Sequence, residues 1–153
     1  MSIYTYYDSK LDILRALWGN VFNDLFVRIA HVNTLGTSEV ECLSRTCQTY
    51  VSYWLEQPDA YRLVFMSSGV TQSEVGGFMK STAMPSEYKI FAAGLAAASN
   101  RTETEVAVHA QVLVCGLIGI VHSLITISHH TWSPADKLAS ALVEGIVLSA
   151  RGS

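Results

Sequence analysis

The chain has 153 residues, enough for one domain with a hydrophobic core of its own. Half of it is apolar and only 15% is charged, against roughly 25% in an ordinary globular protein; its surface is short of charge, and an apolar face covered by another subunit is expected. The formal net charge is -3, the pI is near 5.9, and Lys and Arg form no cluster. That excludes the basic stripe with which a nucleic-acid surface neutralises phosphates.

The opening MSIYTYYDSK lacks the charged-then-apolar layout of a secretion signal. Ser9 with Asp12 predicts the start of a first helix. Leu14, Leu17, Trp18, Val21, Phe22, Leu25, Phe26 and Ile29 continue it at helical spacing to about Val32. Asn33-Thr34-Leu35-Gly36 ends it. Ser38 and Glu41 form a capping box. The second helix follows, burying Val40, Leu43, Cys47, Tyr50, Val51, Trp54 and Leu55. It stops at Gln57 because Pro58 disfavours helical geometry in the residue before it. Pro58 opens a short third helix through Tyr61, Arg62 and Phe65.

Residues Ser67 to Ala83 are the least regular and predict a loop around a short helical turn. Pro85 begins a helix through Tyr88, Phe91 and the alanine-rich Ala92–Ala98 run, ending at Asn100 and Arg101. Thr102 and Glu105 make a second capping box. They open a long helix, expected to reach about Ser128 and to measure roughly 40 Å. Ser133-Pro134-Ala135-Asp136 supplies an N-cap, a proline at the first helical position and an acidic third residue. The last helix carries one apolar stripe of Ala135, Leu138, Ala139, Leu142, Val143, Ile146, Val147 and Ala150. The expectation is an all-α fold of six main helices.

From Val106 to Ala135 there is no Asp, Glu, Lys or Arg. A run of that length could span a bilayer, but it carries His109, Gln111, His122, Ser123 and Thr126 and has no basic flank to orient it. A helix covered by another subunit is the expectation, and no membrane. Cys42, Cys47 and Cys115 fit no metal or redox spacing. Each follows a helical apolar pattern, which predicts buried free thiols in a reducing, cytoplasmic setting.

The residues Ile3-Tyr4-Thr5-Tyr6-Tyr7-Asp8-Ser9-Lys10-Leu11-Asp12-Ile13-Leu14 carry a more specific signal. They resemble the end of the DNA-binding domain in TetR-type repressors: apolar, Tyr, any, aromatic, aromatic, any, Ser or Asn, Lys, two acid-rich positions, then an apolar pair. Tyr7 stands where Phe is usual, and Leu11 where an acid is common. Tyr53-Trp54-Leu55-Glu56-Gln57-Pro58-Asp59-Ala60-Tyr61-Arg62-Leu63-Val64-Phe65 is similar to a stretch of many sensor domains of that family. Gly116-Leu117-Ile118-Gly119-Ile120-Val121-His122-Ser123-Leu124 is similar to the dimer-forming helix of a subgroup in which His is followed by Gly; Ser123 departs from it.

The resemblance implies a stub of helix-turn-helix domain over residues 1–8 and a ligand-binding and dimerisation domain over 9–151, with most of the DNA-reading helices expected to be missing. Tyr4 and Lys10 would offer a hydroxyl and an ammonium to operator phosphates, contacts that position without reading bases. The last two long helices would form a four-helix homodimer interface through Gly116, Gly119, His122, Ser123, Leu138, Leu142 and Ile146. The bland alternative is that both helices serve one monomer's core. The remaining helices would enclose a small apolar or aromatic effector. Tyr50 and Trp54 lie on one face, Phe22, Phe26, Phe65, Tyr88 and Phe91 across from them, and His109 and Leu113 would close the far wall.

No cofactor or metal is expected. His31, His109, His122, His129 and His130 lack the HExxH spacing of a helical zinc site and a nearby carboxylate to orient them, so an enzyme is not expected. A freestanding carrier of small apolar molecules is the remaining alternative.

Overall fold

Local capping rules set where the helices begin and end. The computed structural model describes the backbone of residues 10–66 and 84–152, with side chains from Asp12 to Met66 and from Lys89 onward. It holds α1 (Lys10–Asn33), α2 (Glu39–Glu56), α3 (Pro58–Phe65), α4 (Met84–Ser99), α5 (Ala107–Thr126) and α6 (Ala135–Arg151). No strand occurs among the described residues. The chain is all-α, with six helices in the order expected. Ser9, Tyr4 and the predicted loop from Ser67 to Ala83 lie outside the described residues, as do the side chains of Lys10 and Tyr88.

At the end of α1 the Leu35 amide donates to the Val32 carbonyl at 3.1 Å, and the Thr34 hydroxyl to His31 at 2.8 Å. Gly36 is needed for close approach: a Cβ there would sit 2.9 Å from the Cys42 backbone nitrogen. Ser38 caps α2 by accepting from the Glu41 amide. The returning Glu41 carboxylate takes the amide and hydroxyl of Thr37, one residue before the position a capping box normally uses. α4 ends in a Schellman motif, with the Arg101 amide on Ala96 and the Asn100 amide on Ala97. Asn100 supplies its left-handed residue at φ 57°.

Two boundaries differ from expectation. The Thr102–Glu105 box forms, but residues 103–106 make turns, and regular helix starts only at Ala107. α5 is therefore 20 residues long, about 30 Å instead of 40. Pro134, not Ser133, is the cap residue of α6, with no side-chain bond to the first turn.

α2 is the central helix and packs against each of the other five. Its buried residues Leu43, Cys47, Tyr50, Val51, Tyr53 and Trp54 are the shared floor of the core. α1 covers one side with Trp18, Phe22, Leu25 and Ile29, and α4 another with Phe91 and Leu95. α5 and α6 lie side by side on α2, inserting Ala110, Leu113, Leu117 and Val121 from α5 and Ala139, Val143 and Val147 from α6. Polar ties fix the register: Gln48 Nε2 donates to Ser140 Oγ at 2.9 Å, the Tyr53 hydroxyl to the Val21 carbonyl at 2.8 Å, and Arg151 to the Ala98 carbonyl at 2.7 Å.

Candidate functional site

Trp54 stands at the centre of an aromatic cluster and is fully buried. Five rings meet it edge to face: Tyr53 and Phe65 with centroids at 5.3 Å, Phe22 at 5.8 Å, Tyr61 at 5.9 Å and Tyr50 at 6.2 Å. Phe91 extends the cluster from Tyr50 at 5.5 Å, and Phe26 from Phe22 at 6.5 Å. This is the geometry aromatic quadrupoles prefer. The helical period puts Tyr50 and Trp54 on one face of α2, and the Gln57–Pro58 break folds α3 back so that Tyr61 and Phe65 reach the same indole.

The polar atoms of the cluster are few. The buried Trp54 Nε1 has no hydrogen-bond partner. Tyr61 Oη lies 3.2 Å from His122 Nδ1 on α5, and burial raises the Tyr61 phenol above its ordinary pKa. Burial, aided by the Asp24 charge, raises Tyr53 in the same way. Arg28 closes the solvent side, its guanidinium 5.1 Å over the Tyr53 ring and paired with Glu56 at 2.8 Å and Asp24 at 3.5 Å.

A second feature is the outer face of α5 and α6, which meets the cluster at His122. Val108, Val112, Cys115, Gly119 and His122 recur at alternating steps of four and three residues along α5, and all five are exposed. On α6 the half-buried Leu138 and the exposed Ala141, Gly145 and Leu148 recur in the same rhythm. Val108 and Leu148 are each 68% exposed, and nothing lies within 4 Å of a Cβ built on Gly119 or Gly145. Two adjacent helices thus turn coiled-coil-like apolar seams away from their own core. By length and composition α5 could cross a membrane, yet only 22% of its apolar window is buried inside the chain.

The structure brings together Phe22, Phe26, Tyr50, Trp54, Phe65 and Phe91 as one group and adds Tyr53 and Tyr61, which sequence reasoning did not assign to it. Tyr61 was legible from its position one turn before Phe65. The rings pack on one another, so the expected wall around a guest is here a filled cluster. Leu113 is buried in the core. His109 faces α6 instead of the rings, its Nε2 3.2 Å from Ser149 Oγ. Two clefts on the described surface are lined by none of these rings. One, of about 290 Å³, lies between Cys42, Thr46, Ile90 and Gly94; the other, of about 320 Å³, between Arg45, Gln48, Ser52 and Asp136.

Of the residues expected at a subunit interface, Gly119 is open and His122 exposed, while Ser123 and Leu138 are half-buried. Gly116 serves the chain's own packing: a Cβ there would lie 2.6 Å from Leu142 Cδ2, so the glycine lets α5 and α6 approach. Leu142 and Ile146 likewise pack against the core. Val108, Val112, Cys115, Ala141, Gly145 and Leu148 form the outer face instead. The thiols divide: Cys47 is buried, Cys42 half-buried and Cys115 exposed, all three free. Burial pushes the Cys47 thiol far above its ordinary pKa. Among the described residues no three His, Cys, Asp or Glu converge on a metal position.

No protein-family model, curated protein or solved structure matches the chain.

Proposed function

We propose that this chain is the effector-sensing and dimerisation part of a TetR-type transcription repressor. In that reading α5 and α6 pair with their mates, the aromatic cluster around Trp54 meets a small apolar or aromatic effector, and α1 carries the signal to DNA-reading helices ahead of it. What carries the reading is the uncovered outer face of α5 and α6, apolar, without a charge on α5, and in heptad rhythm on both helices. An apolar face of this kind is stable in water once a like face covers it, and a two-fold axis makes one patch serve both partners.

α1 also fits the role. Its middle residue Phe22 touches Trp54, and its first turn overlaps the end of the stretch, Lys10 to Leu14, that resembles the family. A ligand that prefers one tilt of α1 shifts the spacing of two reading heads, which must sit roughly 34–36 Å apart on DNA.

The test is a chimera in which a helix-turn-helix head that binds its half-site weakly as a monomer is joined ahead of Tyr4. The expected result is tight binding to a two-half-site operator, lost when Gly119 and Gly145 are replaced by charged residues. A chimera that occupies single half-sites only, with the outer face intact, would end the repressor reading.

A further inference from the structure

A buried donor without an acceptor is an anomaly that a folded chain normally avoids, because it forfeits hydration and receives nothing in return. The Trp54 indole N–H is such a donor: the residue is wholly shielded from solvent, and its Nε1 meets no acceptor among the described residues. The five rings around it are inclined at 73° to 79°. Three of them, Tyr50, Tyr53 and Tyr61, carry a hydroxyl oxygen, yet none of these accepts from the indole N–H, and a ring face is a much weaker acceptor than an oxygen.

We propose that Trp54 is the specificity-determining contact of the aromatic site. Its indole N–H donates to a neutral oxygen acceptor, a ketone, ester or ether, on a ligand whose remaining surface is apolar or aromatic. This deepens the effector reading and rests on it. The acceptor is neutral because, among the described residues, the cations nearest the cluster are already paired, Arg62 of α3 with Asp59. Arg28 is outside the cluster and held by Glu56 and Asp24. The other groups at the rim are the Tyr53 hydroxyl, already donating to Val21, and the Tyr61–His122 pair. A carboxylate beside Trp54 would lose its hydration without gaining a countercharge.

α3 is the wall that yields. It is eight residues long, packs mainly on α2, and reaches α5 through the Tyr61–His122 contact. Phe65, at 5.3 Å from Trp54, is only half-buried. A flat ligand that takes the place of the Phe65 ring keeps the edge-to-face contact with Trp54 and supplies the missing acceptor.

The experiment follows the indole N–H resonances of the nitrogen-labelled chain during titration with ketones and their alkene isosteres. The pairs are acetophenone and α-methylstyrene, acetylnaphthalene and isopropenylnaphthalene, and methyl nonyl ketone and its methylene analogue. Trp54 is assigned as the signal that remains in Trp18→Phe and Trp132→Phe chains, so no variant of Trp54 itself is required. The expected result is that in at least one pair the ketone binds about tenfold tighter than its alkene, with the Trp54 proton moving downfield for the ketone alone. Equal affinities with a stationary Trp54 signal, while the surrounding ring signals move, would overturn the hydrogen bond and leave the apolar effector site standing. If no member of any pair moves a signal of the cluster, both fall together.

Discussion

Gly119→Lys separates a covered outer face from a bare one by the sign of its effect. The glycine lies inside α5, and a side chain there would meet no atom of its own chain within 4 Å. In a lone chain the lysine reaches water, and replacing glycine in an exposed helix interior adds about 0.7 kcal/mol of stability, which raises Tm by about 2 °C in a domain of this size. In a symmetric dimer the same ammonium is buried without a countercharge. Leaving one charge so costs about 3 kcal/mol or more, and the two-fold axis places two in each interface. The combined loss of about 6 kcal/mol weakens the dissociation constant by roughly four orders of magnitude. Sedimentation at micromolar concentration should give twice the 16.7 kDa chain mass for the parent protein and a single 16.7 kDa mass for Gly119→Lys. Gly145→Glu should do the same from α6. A parent chain already at the single mass, stabilised by Gly119→Lys with no change in mass, would refute the homodimer.

Three other expectations follow from local chemistry. Thr37 and Arg45 hold the Glu41 carboxylate down from 4.5 to about 2. A carboxylate depressed on folding contributes stability that is fully present above pH 4.5 and lost as pH falls toward 2. The Tm gap between parent and Glu41→Gln should therefore close across that window; a gap that stays constant removes the cap from the stability account. At Asn100, φ 57° means that Asn100→Gly is neutral or slightly stabilising, whereas Asn100→Val costs about 1–2 kcal/mol. Urea midpoints of the two variants measure the difference, and equal midpoints would contradict the left-handed cap. Finally, Cys115 is exposed on the outer face while Cys47 is buried. A short bismaleimide should cross-link two chains through Cys115, and Cys115→Ser should abolish the product; cross-linking that survives the substitution would place the interface elsewhere.

Much of the fold was legible because its determinants are local. Ser38–Glu41, Pro58 and Asn100 act within a turn of their own position and mark the boundaries found, whereas the Thr102–Glu105 box forms several residues before the helix it was expected to open. The outer face was harder to read because α5 is apolar all round: its periodicity gives the spacing of faces but not which one turns inward. That choice depends on Gly116 meeting Leu142 across two helices, a contact with no signature in either helix alone. The same gap hid that Leu142 and Ile146 are half-buried against their own core, and that Cys115, whose helical pattern looked like that of a buried thiol, is exposed. Of the aromatic residues expected to meet, Phe22, Phe26, Tyr50, Trp54, Phe65 and Phe91 do come together, while the side chain of Tyr88 lies outside the described residues. Whether they surround a space or fill it depends on how α3 folds back over Trp54, which the proline break permits without specifying.

The two halves of the molecule are joined at His122. It lies in the α5 seam with Val112, Cys115 and Gly119, and its Nδ1 meets the hydroxyl of Tyr61, a ring that touches Trp54. α2 carries Trp54 and is also the surface on which α5 and α6 rest. Displacing α3 away from Trp54 strains the Tyr61–His122 contact, by which the short helix reaches α5. A change at the aromatic cluster is thereby expected to reach a side chain on the outer face, that of His122. Coupling through one hydrogen bond and one shared helix is modest, of the order of 1–3 kcal/mol in proteins where it has been measured. In the proposed dimer a bias of that size would shift the balance between two subunit arrangements of similar energy.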